Sequence, residues 1–203
     1  MSATVAPALT DRSDFRTVLI AGTKLGVTVA VSVIMYLVAA RRLAGGTAAV
    51  VEALLVLVGG TAAAFLPGLW AAARTIEGIA GAAAIGLWGS IVFSVIDIAV
   101  FRPVHAYPWT WDDVGGGSTW WYLPIWWMLA TFLAWMGGVR TAATAARGRS
   151  SLVAAAGPVL IGAIVLAAVG RGLGFAAVLP VQAGLGFALT LVVLDVFALA
   201  RKA

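Results

Sequence analysis

Few side chains in this sequence could do acid–base or metal chemistry: His105, the sole histidine, and the adjacent Asp112 and Asp113. A histidine and a carboxylate in one segment can exchange a proton with a substrate or hold a divalent cation. Neighbouring aspartates point apart in most backbones, however, and no second histidine completes a ligand set. A solvated loop in which Asp112 or Asp113 pairs with Arg102 accounts for the same residues without catalysis. The chain has no cysteine, so thiol nucleophiles and thiolate metal sites are excluded, and one histidine cannot build bis-histidine haem ligation. Gly115-Gly116-Gly117 is not followed by a Lys-Ser/Thr pair, and neither HExxH nor GxSxG occurs. No cofactor or metal is expected, and a non-enzymatic role is favoured.

Recognition chemistry is better represented. Trp109, Trp111, Trp120, Trp121, Trp126, Trp127 and Trp135 are seven of the nine tryptophans, gathered within one stretch that also holds Asp112, Asp113 and Tyr122. An aromatic belt at head-group depth is one use of such rings. A cap that grips a lipid, an isoprenoid, a carotenoid or a partner subunit is another, because flat aromatic faces also anchor protein interfaces.

A third set lies inside apolar runs. Lys24, Thr28, Ser32 and Tyr36 recur every four residues, Ser90, Ser94 and Asp97 follow Gly86 at spacings of four, four and three, and Gln182 shares a face with Gly186 and Thr190. Such stripes serve helix packing through small residues and hydroxyls, or they line a polar path. The candidates for a path are Lys24, Ser90, Ser94, Asp97 and Gln182. Glu52 and Asp97 should sit toward the outer face, and Lys24, Glu77 and Asp195 toward the inner one, with Arg74 available as a local partner for Glu77.

The elements that must carry these residues follow from composition. Hydrophobic residues make up 63% of the 203 and charged residues only 10%, against roughly 25% charged in an average soluble domain. The apolar residues form successive runs of about 20, the length that crosses about 30 Å of hydrocarbon. Strands are disfavoured because barrel segments are short and alternate apolar with polar. The sequence therefore predicts an all-α polytopic bundle and a single membrane domain over 1–203. Its spans are expected near 17–40, 47–70, 78–101, 124–144, 151–170 and 172–200, with an outer loop at 102–123 broken by Pro103, Pro108 and the glycine run. Val38-Ala39-Ala40 resembles a cleavage site, but the first span is expected to be retained.

Counting Lys and Arg in alternate loops gives Arg12, Arg16, Arg74, Arg140, Arg147, Arg149, Arg201 and Lys202 on one side and Arg41, Arg42, Arg102 and Arg171 on the other. The excess predicts both termini in the cytoplasm. The net charge of +5 is spread singly over helix ends, so no nucleic-acid partner is expected. The Ala, Gly, Val and Arg bias suits a bacterial inner membrane. The functional expectation is an accessory or structural subunit, or a binder of an apolar ligand, whose partners are the bilayer, a lipid-like molecule, another membrane protein or a second copy of itself. A small transporter along spans 1, 3 and 6 is the second expectation, and an enzyme acting on a lipid through His105 and the aspartates the third.

Overall fold

The computed structural model describes residues 11–107 and 122–200. Six helices in that part are long and apolar enough to cross a membrane. They are α1 (Phe15–Arg42), α2 (Gly45–Trp70), α3 (Ile76–Ile96), α4 (Tyr122–Ala145), α5 (Leu152–Gly172) and α6 (Leu179–Ala200). A π-helical turn, Asp97–Phe101, prolongs α3, and no strand occurs among the described residues. The protein is thus an all-α, multi-pass membrane bundle.

Four of the helix starts have a local cause. Asp14 caps α1 by accepting from the Thr17 N–H at 3.0 Å and its hydroxyl at 2.6 Å. Ser151 accepts from the Ala154 N–H at 3.2 Å and opens α5. The first turn of α3 is capped from outside the helix, since Asp11 accepts from the N–H groups of Thr75 and Gly78 at 2.9 and 3.0 Å. Near α4's end Gly148 takes φ +73°, a conformation that carries no penalty for glycine. The sixth helix begins at Leu179 rather than near residue 172. Gly174 (φ +76°) turns the chain there, the Phe175 N–H bonds back to Gly170, and Pro180 sits in the first turn, where its missing N–H costs nothing.

Helix α2 packs against all five others; α1 and α3 lie on one side of it with α4, and the α5–α6 hairpin lies on the other. The ends where α1 begins and α6 finishes share one face of the bundle, called here the terminal end. The segment 102–107 lies at the opposite, far end. Phe65 and Phe187 meet edge-to-face, centroids 6.4 Å apart, within a core that includes Ala64, Val159, Ala163 and Leu191. The interior is built largely of alanine and glycine, whereas Val31, Met35, Val58, Ile161 and Val196 face outward. This is the distribution expected in lipid, where aliphatic side chains lose nothing by exposure and small residues let backbones approach.

The α2–α4 crossing is the tightest approach. A Cβ added to Gly137 would lie 1.8 Å from the Ala64 carbonyl oxygen, backbone that cannot yield. Gly137→Val is therefore expected to cost about 3 kcal/mol or more and to lower the thermal transition in detergent sharply. Gly157→Val, at a position with nothing within 4 Å, should leave that transition almost unchanged. Equal behaviour of the two variants would refute this packing.

Candidate functional site

At the far end the π-helical turn brings Asp97 and Arg102 together. The extra residue per turn lets the Arg102 N–H bond the Asp97 carbonyl at 3.0 Å, and its Nε reaches Asp97 Oδ2 at 3.2 Å. Tyr107 donates to Asp97 Oδ1 at 2.8 Å, and the Arg102 guanidinium stacks 4.9 Å from the centre of the Tyr122 ring. Arg41 of α1 holds the segment by donating to the Ala106 carbonyl at 2.7 Å. Asp97 is only 3% exposed, and both its oxygens are engaged. Burial first, then the bond to Asp97 and its charge, push the Tyr107 hydroxyl well above the ordinary tyrosine range, with Arg102 opposing. Stability should consequently fall as pH rises past that ordinary range, because the unfolded chain releases the proton first.

Removing the shared acceptor gives a direct check. Asp97→Ala is expected to cost about 2–3 kcal/mol, and Tyr107→Phe about 1 kcal/mol. Amide exchange over residues 102–107 should accelerate more in the first variant than in the second; equal protection in both and in the parent would contradict a role for Asp97 as the anchor.

One helical turn deeper, Trp127 of α4 donates to Ser94 Oγ at 3.2 Å. Beside it a groove of about 590 Å³ opens between α3 and α4, lined by Ala83, Leu87, Pro124, Trp127, Met128, Thr131, Phe132 and Trp135. Phe132 and Trp135 meet edge-to-face at 6.2 Å. The groove is walled almost wholly by apolar atoms, and Met128 and Trp135 are exposed on the outward side of the bundle.

The expected site residues divide accordingly. Trp109, Trp111, Asp112, Asp113, Trp120 and Trp121 lie outside the described residues. Tyr122 stacks on Arg102, Trp127 walls the groove, and Trp126 is 43% exposed on the same helix. His105 is exposed at the far end with φ +47°. Arg102 takes Asp97 as its ion-pair partner, since five residues close one π-helical turn.

Of the polar-path candidates, Ser90, Ser94 and Asp97 follow one another along α3 and its π-helical turn, while Lys24 lies on α1 and Gln182 on α6. Lys24 is exposed on α1, whereas Gln182 donates to the carbonyls of Phe175 and Ala177 at 3.1 and 2.8 Å and so ties the α5–α6 connection to α6. Thr28, Ser32 and Ser94 each donate to the carbonyl four residues earlier, and Ser90 to that of Leu87. Tyr36 reaches Glu52 at 3.5 Å. Glu77 accepts from the Thr75 hydroxyl at 2.5 Å rather than pairing with Arg74. Among the described residues no group of three or more His, Asp or Glu side chains is placed to hold a metal ion.

Sequence reasoning missed one juxtaposition, that of Arg140 with Asp195. Arg140 counts as a loop-side charge when topology is scored, yet it is only 8% exposed and packs within the bundle, and Asp195 is 0% exposed. Both lie five residues before the end of their helices, α4 and α6, which run in the same direction. Each is the single charged residue of its helix. Two lone charges of opposite sign at matching depth were the available signal.

Fold and site together define a polytopic α-helical membrane protein with an aromatic groove at one helix pair and two buried charge clusters. Comparison with protein-family models, curated proteins and solved structures gives no match for the chain.

Proposed function

We propose that this protein is a non-enzymatic membrane subunit that binds the apolar chain of a lipid or isoprenoid-type molecule in the α3–α4 groove, with the tryptophan-rich segment that precedes α4 contributing a cap. The observation that carries this reading is the groove itself. Its volume of about 590 Å³ lies within the roughly 300–1,000 Å³ of small-molecule sites. Its walls are rings and a methionine, side chains that adapt to irregular hydrocarbon. Trp127 is held in place by its bond to Ser94, so that wall is preorganised rather than free to collapse.

The proposed setting is a bacterial inner membrane with the terminal end in the cytoplasm, supported by an excess of basic residues on that side that remains seven to four when the buried Arg140 is left out. Photo-crosslinking with an alkyl chain bearing a diazirine tests the site. Label concentrated on α4 between Pro124 and Trp135 is the expected result. Label spread evenly over the outward faces of α1, α5 and α4 would mean ordinary bilayer contact and would overturn the proposal. A second copy or another chain seated over the groove and blocking the label would do the same.

A further inference from the structure

We propose that Asp195 is a reversible proton-binding site inside the bundle, with Arg140 as the charge that sets its occupancy. This inference is independent of the groove and rests on different residues. Asp195 is fully buried, and neither of its oxygens has a hydrogen-bond partner. Arg140 is also buried and its Nε is unpartnered. Among the described residues no basic group lies within 4 Å of the carboxylate, so Arg140 acts on it through space and not by a closed ion pair.

Among the described residues the carboxyl group has one charged neighbour in the helices packed on it. The helices packed on α6 are α2, α4 and α5. In α2 the charged residue is Glu52, in the far half; in α5 it is Arg171, at the far end; in α4 it is Arg140. Arg147 lies beyond Arg140 in the exposed connection after α4. The nearby hydroxyls do not serve Asp195 either, since Thr141 donates to the Gly137 carbonyl and Thr144 to those of Arg140 and Thr141.

An ionised carboxylate with no donor in such a place loses several kcal/mol of solvation, and taking up a proton removes that cost. A nearby guanidinium, which cannot lose its own proton, offsets part of the cost of the ionised form. The two effects oppose one another, so the proton's occupancy depends on Arg140 as well as on burial. Five residues separate Asp195 from the end of α6, about 7–8 Å along the axis, a short distance for a proton to travel from water.

The test uses the full chain in vesicles and dicyclohexylcarbodiimide, which adds to protonated carboxyl groups in apolar surroundings, with the modified residue mapped by mass spectrometry. Labelling at Asp195 is expected to fall about tenfold or more between about pH 5 and pH 9. It should persist to higher pH in Arg140→Gln, follow the parent profile in Arg140→Lys, and vanish at this position in Asp195→Asn. If Arg140→Gln does not assemble, the parent profile and Arg140→Lys still decide. An unlabelled Asp195 at every pH would mean a permanently ionised group, and constant labelling at every pH a permanently neutral one. Either result overturns the proposal.

Discussion

Replacing Asp195 with leucine is expected to destabilise the bundle by about 1–3 kcal/mol, less than breaking a closed buried ion pair costs, because Asp195 compensates Arg140 through space and without direct contact. The loss falls on Arg140, which keeps its positive charge in every condition and is left in the interior of α4 with its Nε unpartnered and no counter-charge. Arg140→Met should cost less, because the carboxyl group it abandons can take up a proton and become neutral. The double variant Arg140→Met/Asp195→Leu removes both charges and should recover most of the stability lost in Asp195→Leu. Thermal unfolding of the four proteins in one detergent at neutral pH measures this. A double variant no more stable than Asp195→Leu would show that the two residues are not coupled.

Truncating Trp127 and Trp135 together to alanine is expected to lower the affinity of a bound apolar chain by at least a hundredfold, about 3 kcal/mol. Both rings wall the groove from α4, and removing them widens it without supplying other contacts. Trp127→Phe separates two contributions: it keeps an aromatic wall but loses the hydrogen bond to Ser94. Its affinity should therefore fall by about tenfold or less. Retention of the bound chain by the double alanine variant would move the binding surface away from this face.

How far the sequence discloses this architecture depends on what each residue signals locally. The six helices were legible because runs of about 20 apolar residues have no other stable form in lipid. The start of α6 was misplaced because the stretch from Leu173 to Val178 is itself apolar, so hydropathy does not distinguish it from helix, and only Gly174 and Pro180 mark the turn. The spacing of Thr28, Ser32, Ser90 and Ser94 correctly put them on helix faces. It could not reveal that their hydroxyls are satisfied within their own helices, a choice made by side-chain rotation rather than by sequence period. Asp97 was visible as a charge near a span's end. Its engagement by Arg102 and Tyr107 depends on a π-helical turn that periodicity does not announce. The groove was half visible: the clustering of tryptophans pointed to α4, but the contribution of Ala83 and Leu87 from α3 requires the antiparallel packing of two spans.

The far-end cluster and the buried pair also differ in what they ask of the protein. Asp97 has a full set of partners and fixes the segment from Arg102 to Tyr107 beside the groove's outer end. Asp195 has none, which is an expensive arrangement to maintain for packing alone. The first therefore acts as scaffold, and the second as a site whose charge state matters to the bundle.

Whether the α3–α4 groove holds an apolar chain can be read from mass spectrometry of the intact protein released from native membranes in mild detergent. A stoichiometric lipid- or isoprenoid-type adduct is expected on the parent protein and should be lost from Trp127→Ala/Trp135→Ala. A parent protein free of any adduct, or an adduct retained unchanged by that variant, would show that the groove is not the binding site.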